Sequence, residues 1–284
     1  MHNFSGQHVI ITGGSSGIGK AIAILLAQAG ANITLIARNP EKLKQAQAEV
    51  ATVQNQSNQN QSDKKILTAV ADVSHRVEAE QAIQSAIQHL GVPDILVTSA
   101  GIAHPGYFQE LPIEVFEQTM AVNYFGSLYC IRAVLPGMQQ QGRGRLVLIS
   151  SGAGIVGIYG YTPYCPSKFA LRGLAESLRA EVKPFGIQVT IVYPPDTATP
   201  QLDAENRTKP IETKQITDTT RIWQPEEIAQ EILSGIQRDK FAIAPGLELT
   251  LLNRFHSVLA PILHWYFDRI VHNVRQRKVQ SRQD

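Results

Sequence analysis

Cysteine, excess charge and long apolar runs are all scarce in this chain. Only two cysteines occur among 284 residues, so the sequence offers no disulfide framework and fits a reducing compartment. The formal net charge of +2 gives no sign of a nucleic-acid-binding surface. No run of about eighteen apolar residues is present, and the first residues lack a signal-peptide pattern. We therefore expect a cytoplasmic protein with no membrane-spanning helix and no nucleic-acid partner.

What the sequence does contain is a regular alternation of short apolar runs with stretches of helical length. The runs predicted as strands cover residues 8–12, 32–37, 65–71, 94–100, 145–150, 187–193 and 240–245. The predicted helices cover about 17–29, 40–54, 75–90, 112–140, 162–183 and 225–237. Near-continuous Val, Ile and Leu runs are typical of strands buried on both faces, and strands alternating with helices form parallel sheets. The pattern predicts an α/β fold with a doubly wound parallel sheet of about seven strands.

Three segments interrupt this alternation. Residues 52–63 are polar and of low complexity, which indicates a solvated loop. Residues 196–217 form a long irregular insertion, and such loops inside compact domains are usually functional lids or disordered. Residues 246–284 continue past the last predicted strand as a helical extension. The main domain is thus expected over residues 1–245.

A glycine-rich turn lies between the first predicted strand and the first predicted helix, with the spacing G-x-x-x-G-x-G. Glycines let the backbone turn sharply and approach a pyrophosphate, and the N-terminus of the following helix favours negative charge. A purely structural turn is the alternative. The flanking strand and helix favour dinucleotide binding and a fold of Rossmann type. The predicted cofactor contacts in this turn are Gly13, Ser15, Ser16, Gly17, Ile18 and Gly19.

The end of the second predicted strand favours NADP(H) over NAD(H). An acidic residue here would accept a hydrogen bond from the ribose 2′-hydroxyl. This chain has Ala37, Arg38 and then Lys42, so no acid repels a 2′-phosphate and a guanidinium is placed to bind it. The alternative is that both basic residues are solvated charges at the start of a helix.

Two tyrosines, Tyr161 and Tyr164, precede a single lysine, Lys168. With Thr162 as the N-cap and Pro163 in the first turn, the predicted helix leaves Tyr161 outside. Tyr164 and Lys168 are then four residues apart on one face. A nearby ammonium lowers the pKa of a phenol, so this pair predicts a proton donor to a carbonyl, or a base toward an alcohol.

Two further positions fit such chemistry. Ser150 and Ser151 follow the fifth predicted strand, at the edge where α/β sheets bind ligands, and a hydroxyl there could donate to a developing oxyanion. Asn123 lies within a long predicted helix, where its amide could support a proton relay. Strand-end capping for the serines and helix packing for Asn123 are the structural alternatives.

Together these motifs resemble the short-chain dehydrogenase/reductase family over about residues 5–245. "TGGSSGIG" is similar to its cofactor loop, "YCPSK" to its catalytic motif and "AVNYFG" to its asparagine-bearing helix. Because the family's serine lies thirteen residues before its tyrosine, the resemblance selects Ser151 over Ser150. It implies a catalytic tetrad of Asn123, Ser151, Tyr164 and Lys168, and cofactor contacts from Asp72, Val73, Tyr164, Lys168, Pro194 and Thr197, with the lysine bonding the nicotinamide ribose.

Two positions depart from the family pattern. Ser99 stands where the fourth strand usually ends in an asparagine, and Pro195 stands where a glycine usually follows the sixth strand. Since proline has no N–H, contacts to the nicotinamide amide are expected to differ. The string "YPPDTATP", followed by "ENRTKPIET", is similar to the branch of the family that reduces 3-ketodihydrosphingosine, a long-chain ketone, with NADPH. A reductase of another lipid-like ketone, such as a 3-oxoacyl thioester or a steroid, and a non-catalytic NADPH sensor are the alternatives.

The C-terminal extension is apolar over residues 247–271 and basic toward its end, and Pro261 is expected to break its helix. An apolar helix with aromatic residues and a basic end can lie in a membrane interface, so residues 247–282 are candidates for peripheral membrane contact. Packing on the main domain or between subunits is equally compatible with the pattern, and a homo-oligomer is expected. Three histidines spaced eight residues apart do not build a compact ligand set, so no metal site is predicted.

Overall fold

The computed structural model describes residues 4–57, 65–218 and 221–280. The strands in these residues are β1 (His8–Thr12), β2 (Asn32–Ala37), β3 (Ile66–Val70), β4 (Ile95–Thr98), β5 (Gly144–Ile149), β6 (Ile187–Val192) and β7 (Ala242–Ile243). The α-helices are α1 (Gly17–Gln28), α2 (Pro40–Ser57), α3 (Arg76–Leu90), α4 (Ile113–Met120), α5 (Gly126–Gln141), α6 (Tyr164–Val182), α7 (Pro200–Thr208), α8 (Ile211–Thr217), α9 (Pro225–Gln237), α10 (Leu247–Arg254) and α11 (His256–Gln280).

The strands form one parallel sheet in the order β3-β2-β1-β4-β5-β6-β7. The strand order reverses at β1, which pairs with both β2 and β4, so that Val9 lies opposite Ile33 on one side and Ile95 on the other. This confirms the predicted doubly wound sheet. At such a reversal the connecting loops diverge and leave a crevice at the carboxyl ends of the strands, where ligands bind.

Both faces of the sheet are covered by helices. Val9 and Ile11 of β1 pack with α1, α2 and α9, whereas Ile10 packs with α3, α5 and α6 on the opposite face. Successive side chains of a strand point to opposite faces, so a strand that is covered on both must be apolar throughout. All three side chains are fully buried, and each contributes about 1.5–3 kcal/mol of transfer free energy.

The polar segment 52–63 was predicted to be a solvated loop, and that prediction is wrong over its first half. Helix α2 continues to Ser57, while residues 58–63 lie outside the described residues. The polar side chain of Gln54 is buried and donates to the main-chain carbonyl of Ala31 at 2.8 Å. A glutamine anchored to the main domain supports a helix that composition alone does not indicate.

The insertion 196–217 is not irregular, because it contains α7 and α8. Helix α7 begins with a side-chain cap: the hydroxyl oxygen of Thr199 accepts a hydrogen bond from the amide of Leu202 at 3.3 Å. Pro200 follows in the first helical turn, where a missing N–H costs nothing. The two helices place their side chains against the carboxyl edge of the sheet.

The long helix predicted over 112–140 is interrupted in the middle. A π-helical turn, Ala121–Phe125, separates α4 from α5 and contains Asn123. Such turns widen the backbone spiral locally and are frequent at functional sites. The asparagine is therefore presented by a π turn and not by a regular helix.

Helix α6 begins at Tyr164, and Thr162 does not cap it as expected. The carbonyl of Tyr161 accepts hydrogen bonds from the amides of Tyr164 (3.0 Å) and Cys165 (2.9 Å), so the main chain itself closes the first turn. Tyr164 thus occupies the first helical position, and Lys168 follows one turn later.

The C-terminal extension folds into two helices, and the break between them falls at Phe255, not at Pro261. The proline is accepted near the beginning of α11, while Phe255 leaves the helical conformation with φ −120°. Leu249, Leu263 and Phe267 pack against the main core, so one face of the extension lies on the main domain. Within the described residues, none of the helices has the length and apolarity needed to cross a bilayer.

Candidate active site

A cavity of about 1170 Å³ lies at the carboxyl edge of the sheet. Its walls come from the glycine-rich turn after β1, the ends of β2 to β5, the loop after β6, the start of α6, and side chains of α7, α8, α10 and α11. The predicted site residues that line it are Gly13, Ser15, Ser16, Gly17, Ile18, Arg38, Lys42, Asp72, Val73, Ser151, Tyr164, Lys168, Pro194 and Thr197. One cavity therefore joins the cofactor turn to the tyrosine–lysine pair.

The glycine-rich turn requires glycine for geometric reasons. Gly13 and Gly17 have positive φ values of 67° and 53°, and a Cβ on Gly19 would come within 2.5 Å of the Gly13 carbonyl oxygen. Ser16, the N-cap of α1, makes no capping hydrogen bond with its side chain, and the first turn of α1 has no acidic residue. The turn thus offers a close backbone approach and a positive helix end, which fit a pyrophosphate.

Arg38 and Asp72 lie together where the adenosine end of a dinucleotide would be expected. The guanidinium Nη1 of Arg38 is 3.5 Å from the carboxylate of Asp72, and about half of the Arg38 side chain is exposed. Burial raises the pKa of Asp72, but hydrogen bonds from the Ser74 hydroxyl and amide, together with Arg38, outweigh it and leave the pKa lowered. Val73 is buried, and Lys42 lines the cavity beside Arg38.

The two positions that depart from the family pattern both line the cavity. The amide of Ser99 donates to the hydroxyl of Thr12 at 3.2 Å, which ties the end of β4 to β1. The Thr197 hydroxyl donates to the carbonyl of Pro195 at 2.8 Å, and Thr197 is buried. The carbonyl of Pro194 accepts from the Gly152 amide at 3.0 Å, which fixes the loop after β6 against the end of β5.

Tyr164 and Lys168 are both buried and share one face of α6. The lysine nitrogen is 5.5 Å from the centroid of the tyrosine ring and donates to the carbonyl of Ile149 at 3.0 Å. The side chain of Ser151 lies close enough to the Tyr164 hydroxyl to lower its pKa. Ser150 points elsewhere, since its hydroxyl donates to the Lys168 carbonyl at 3.0 Å. The structure therefore brings together Ser151, Tyr164 and Lys168.

The side-chain amide of Asn123 is buried, and both its oxygen and its nitrogen form hydrogen bonds within the protein. Its side-chain oxygen accepts from the amide of Ile102 at 2.8 Å, and its nitrogen donates to the Ile102 carbonyl at 3.0 Å and to the Ser167 hydroxyl at 2.9 Å. A Cβ on Gly101 would lie 3.3 Å from the Asn123 oxygen and 3.5 Å from the Lys168 nitrogen. The amide thus holds the loop after β4 against α6, close to the lysine.

The expected effect of Lys168 on the tyrosine is not what the structure shows. Burial raises the pKa of Tyr164 above its ordinary value and the charge of Glu205 adds to this, while hydrogen bonds from Ser151 and Gln201 oppose it. Burial also lowers the pKa of Lys168 to about 8, against the effect of Glu205. The prediction that the lysine holds the phenol's pKa down is wrong for this geometry, because burial dominates both groups.

Three residues of the cavity were missed in the sequence: Tyr161, Gln201 and Glu205. The sequence places Tyr161 outside the helix, yet its ring centroid is 5.7 Å from that of Tyr164 and its hydroxyl donates to Glu205. Gln201 donates to the other oxygen of Glu205 at 2.9 Å. Gln201 and Glu205 belong to α7, which no periodic apolar pattern marks, although the cap sequence Thr199–Pro200 indicates its start.

The family model for the short chain dehydrogenases matches residues 7–210. The chain therefore belongs to the short-chain dehydrogenase family, and it is an oxidoreductase with a nicotinamide cofactor. It is 44% identical over 259 residues to the "3-ketodihydrosphingosine reductase" of Bos taurus, covering 90% of this chain and 76% of that protein. It is 40% identical over 272 residues to the protein of the same name from Dictyostelium discoideum, covering 93% and 81%.

Solved structures agree on the fold. The crystal structure of levodione reductase superposes with a TM-score of 0.76 at 24% sequence identity, covering 85% of this chain and 96% of that one. At this level of identity the likeness concerns the fold alone.

Proposed function

We propose that this protein reduces the 3-keto group of 3-ketodihydrosphingosine to the hydroxyl group of sphinganine, with NADPH as the reductant. The observation that carries this proposal is the 44% identity, over 90% of the chain, to a reductase named for that substrate. The shape of the site supports it, because one cavity contains a dinucleotide cradle, a buried tyrosine and an apolar wall.

The apolar wall suits a long alkyl chain. On the side away from the glycine-rich turn, α10 and α11 contribute aliphatic and aromatic side chains to the cavity: Leu247, Leu249, Leu251, Leu252, Leu259, Ile262, Leu263, Tyr266 and Phe267. Each methylene group moved from water to such a surface gains about 0.8 kcal/mol. A chain of many methylenes would therefore gain most of its binding energy here, while its keto group reaches the polar end.

The cofactor's phosphates would be held by the backbone of the glycine-rich turn and the N-terminus of α1. Arg38 and Lys42, which line the cavity beyond Ala37, would bind the 2′-phosphate that distinguishes NADPH from NADH. Asp72 and Val73 would lie against the adenine, and Pro194 and Thr197 against the nicotinamide end. When bound, NADPH supplies the hydride for the carbonyl carbon.

We assign Tyr164 as the proton donor to the carbonyl oxygen. A phenol whose pKa is raised by burial stays protonated at neutral pH, which suits an acid. Ser151, whose side chain lies near the same hydroxyl, would orient the carbonyl oxygen and stabilise its developing charge. Lys168 would bond the nicotinamide ribose, and Asn123 would act as a positioning residue that fixes the loop after β4 next to that lysine.

We also propose that the protein is cytoplasmic and meets a membrane peripherally through residues 247–282, of which 281 and 282 lie outside the described residues. The face of α11 that does not line the cavity exposes Val258 and Trp265, by 68% and 61%. A bilayer is the source of a long-chain substrate, and α10 and α11 form the apolar wall of the cavity. We further expect a homo-oligomer, for which a second copy on this face is the competing arrangement.

A product assay tests the proposed function. Purified protein is incubated with NADPH and 3-ketodihydrosphingosine in detergent, and sphinganine is measured by mass spectrometry. We expect turnover in the wild type, with a loss of at least about a hundredfold in Tyr164→Phe while NADPH binding persists. If no sphinganine forms but a 3-oxoacyl thioester or a steroid is reduced, the protein is a reductase of that ketone and not of 3-ketodihydrosphingosine. NADPH binding with no turnover of any ketone would indicate a sensor.

A further inference from the structure

Glu205 places a buried carboxylate in the wall of the cavity, beside the tyrosine. The residue is only 7% exposed. Its Oε2 atom accepts a hydrogen bond from the hydroxyl of Tyr161, and its Oε1 atom accepts from the side-chain nitrogen of Gln201 at 2.9 Å. Both donors are neutral side chains. A carboxylate offers about four acceptor positions, so two neutral donors leave room for a further partner.

Among the described residues, Glu205 takes part in no salt bridge. Lys209, the buried lysine one turn later in the chain, pairs with Asp196 at 3.9 Å. Lys168 donates to a main-chain carbonyl, and the charge of Glu205 raises its pKa without a direct contact between the two side chains. Burial raises the pKa of Glu205, and hydrogen bonds from Tyr161 and Gln201 together with the charge of Lys209 only partly oppose it, so a cation bound directly to the carboxyl group would favour its ionised form.

The carboxylate also lies close to the reacting position. The side chain of Gln201 donates to Glu205 and lies close enough to the Tyr164 hydroxyl to lower its pKa, so one amide group lies between the proposed proton donor and the carboxylate. A cation bound by Glu205 would therefore lie next to the carbonyl that Tyr164 protonates. In 3-ketodihydrosphingosine the amine is on the carbon adjacent to the ketone, which keeps its nitrogen within about 3 Å of the ketone oxygen.

We propose that Glu205 forms the subsite that binds the ammonium group of a 2-amino ketone. This inference rests on the function proposed above and deepens it, because it identifies what separates an aminoketone from other long-chain ketones. The ammonium would complete the coordination of the carboxylate, and Tyr161 and Gln201 would hold the carboxylate in place. A ketone without the amine leaves the carboxylate buried and unpaired, and an N-acylated amine offers no charge.

Two other roles for Glu205 make different predictions. If the carboxylate serves only as a countercharge that keeps Lys168 protonated, its loss should slow the reduction of every ketone alike and shift the pH profile. If it serves only as a brace for α7 through Tyr161, its loss should reduce thermal stability and again affect all ketones. Only an ammonium subsite makes the effect depend on the substrate's amine.

The test compares two substrates across matched variants. Glu205→Gln keeps the shape of the side chain and its ability to accept from Tyr161, but removes the charge. Glu212→Gln is the matched control, because Glu212 is also a buried carboxylate bonded to a tyrosine hydroxyl, that of Tyr107 at 2.9 Å, and does not line the cavity. The value of kcat/KM is measured for 3-ketodihydrosphingosine and for 1-hydroxyoctadecan-3-one, which lacks only the amine.

We expect the wild type and Glu212→Gln to have a higher kcat/KM for the aminoketone than for the ketone without the amine. In Glu205→Gln the ratio of the two kcat/KM values should fall at least about tenfold, which is the effect expected from the loss of one charge-assisted hydrogen bond. Tyr161→Phe retains the carboxylate and should retain the preference. Equal losses of kcat/KM on both ketones in Glu205→Gln, which leave the ratio unchanged, would overturn the subsite.

If the wild type reduces neither ketone, the proposed function fails. If it reduces both equally, the subsite alone fails. Circular dichroism and NADPH binding establish that each variant is folded.

Discussion

The hydroxyl of Ser150 donates to the main-chain carbonyl of Lys168 at 3.0 Å, joining the end of β5 to the second turn of α6. The contact is tightly enclosed, because a Cβ on Gly154 would come within 2.4 Å of the same hydroxyl oxygen. The hydroxyl oxygen of Ser151, the next residue, accepts a hydrogen bond from the Ala153 amide at 3.2 Å and lies close enough to the Tyr164 hydroxyl to lower its pKa. Two adjacent serines therefore serve different purposes, one holding the helix on the sheet and the other meeting the proposed proton donor.

This difference predicts opposite phenotypes for two equivalent substitutions. Ser151→Ala should reduce kcat by about ten- to a thousandfold with little change in the unfolding midpoint, because it removes a donor at the developing oxyanion. Ser150→Ala should reduce the free energy of unfolding by about 1 kcal/mol and leave kcat within a few-fold of the wild type. Steady-state kinetics and urea denaturation of both variants provide the measurement. An equal loss of kcat in the two variants would contradict the assignment.

The charge at the end of β2 predicts the preference for NADPH. Arg38 is half exposed and only loosely paired with Asp72, so its guanidinium can turn toward a 2′-phosphate. Arg38→Ala should raise the KM for NADPH by about ten- to a hundredfold, the effect of a lost charge-assisted contact, and should change the KM for NADH little. Arg76→Ala, on the exposed start of α3, is the control. Equal changes for both cofactors would exclude a 2′-phosphate contact.

Lys168 predicts a pH dependence of stability in the cofactor-free protein. Burial lowers its pKa to about 8 from an unfolded value near 10.5. Between these values the lysine binds more protons in the unfolded chain than in the folded one, so its contribution to the free energy of unfolding should rise with pH across this window. At about 1.4 kcal/mol per pKa unit, the full rise is on the order of 3 kcal/mol. Burial raises the pKa of Cys130 to about 12 and that of Cys165 to about 11, so these thiols act in the opposite direction above about pH 9, and the raised pKa values of Tyr161 and Tyr164 do so above about pH 10.

The control for this prediction is the removal of the titrating group. Urea denaturation at about pH 7.5 and about pH 9.5 should give a change in the free energy of unfolding that is more positive in the wild type than in Lys168→Met, by roughly 2 kcal/mol. Lys44→Met, on the exposed face of α2, should behave like the wild type. Equal changes in the wild type and Lys168→Met would mean that the lysine is not buried as described.

The sheet and its helices could be predicted from the sequence because the central strands are apolar on both faces. The run at residues 187–193, for example, corresponds to β6 at Ile187–Val192, every residue of which except Gln188 is buried. The glycine-rich turn and the placement of Tyr164 and Lys168 on one helix face could also be predicted from the sequence, because both depend on local backbone geometry. The structure of a residue can be predicted from the sequence where it is determined by residues nearby in the sequence.

Helices α7 and α8 could not be predicted in the same way. Their stability depends on contacts between distant residues: Tyr161 with Glu205, and the hydroxyl of Thr213 with the carbonyl of Tyr159 at 2.8 Å. These pairs are more than forty residues apart in the sequence, and their polar side chains resemble a solvated loop. For the same reason the burial of Glu205 could not be predicted, since a glutamate in a polar segment is expected to be exposed.

The exposed face of α11 yields a prediction about membranes. Val258 and Trp265 are 68% and 61% exposed and lie outside the cavity, so their replacement should not alter the site. The double variant Val258→Glu, Trp265→Glu should bind anionic phospholipid vesicles at least about tenfold more weakly, because two apolar side chains lose their burial in the interface. Its kcat in detergent should stay close to that of the wild type. Vesicle flotation and the detergent assay measure the two quantities, and Val77→Glu, an equally exposed apolar position on α3, is the control. If vesicle binding is unchanged while sedimentation shows that the double variant has become monomeric, the face joins two copies of the chain and does not meet a membrane.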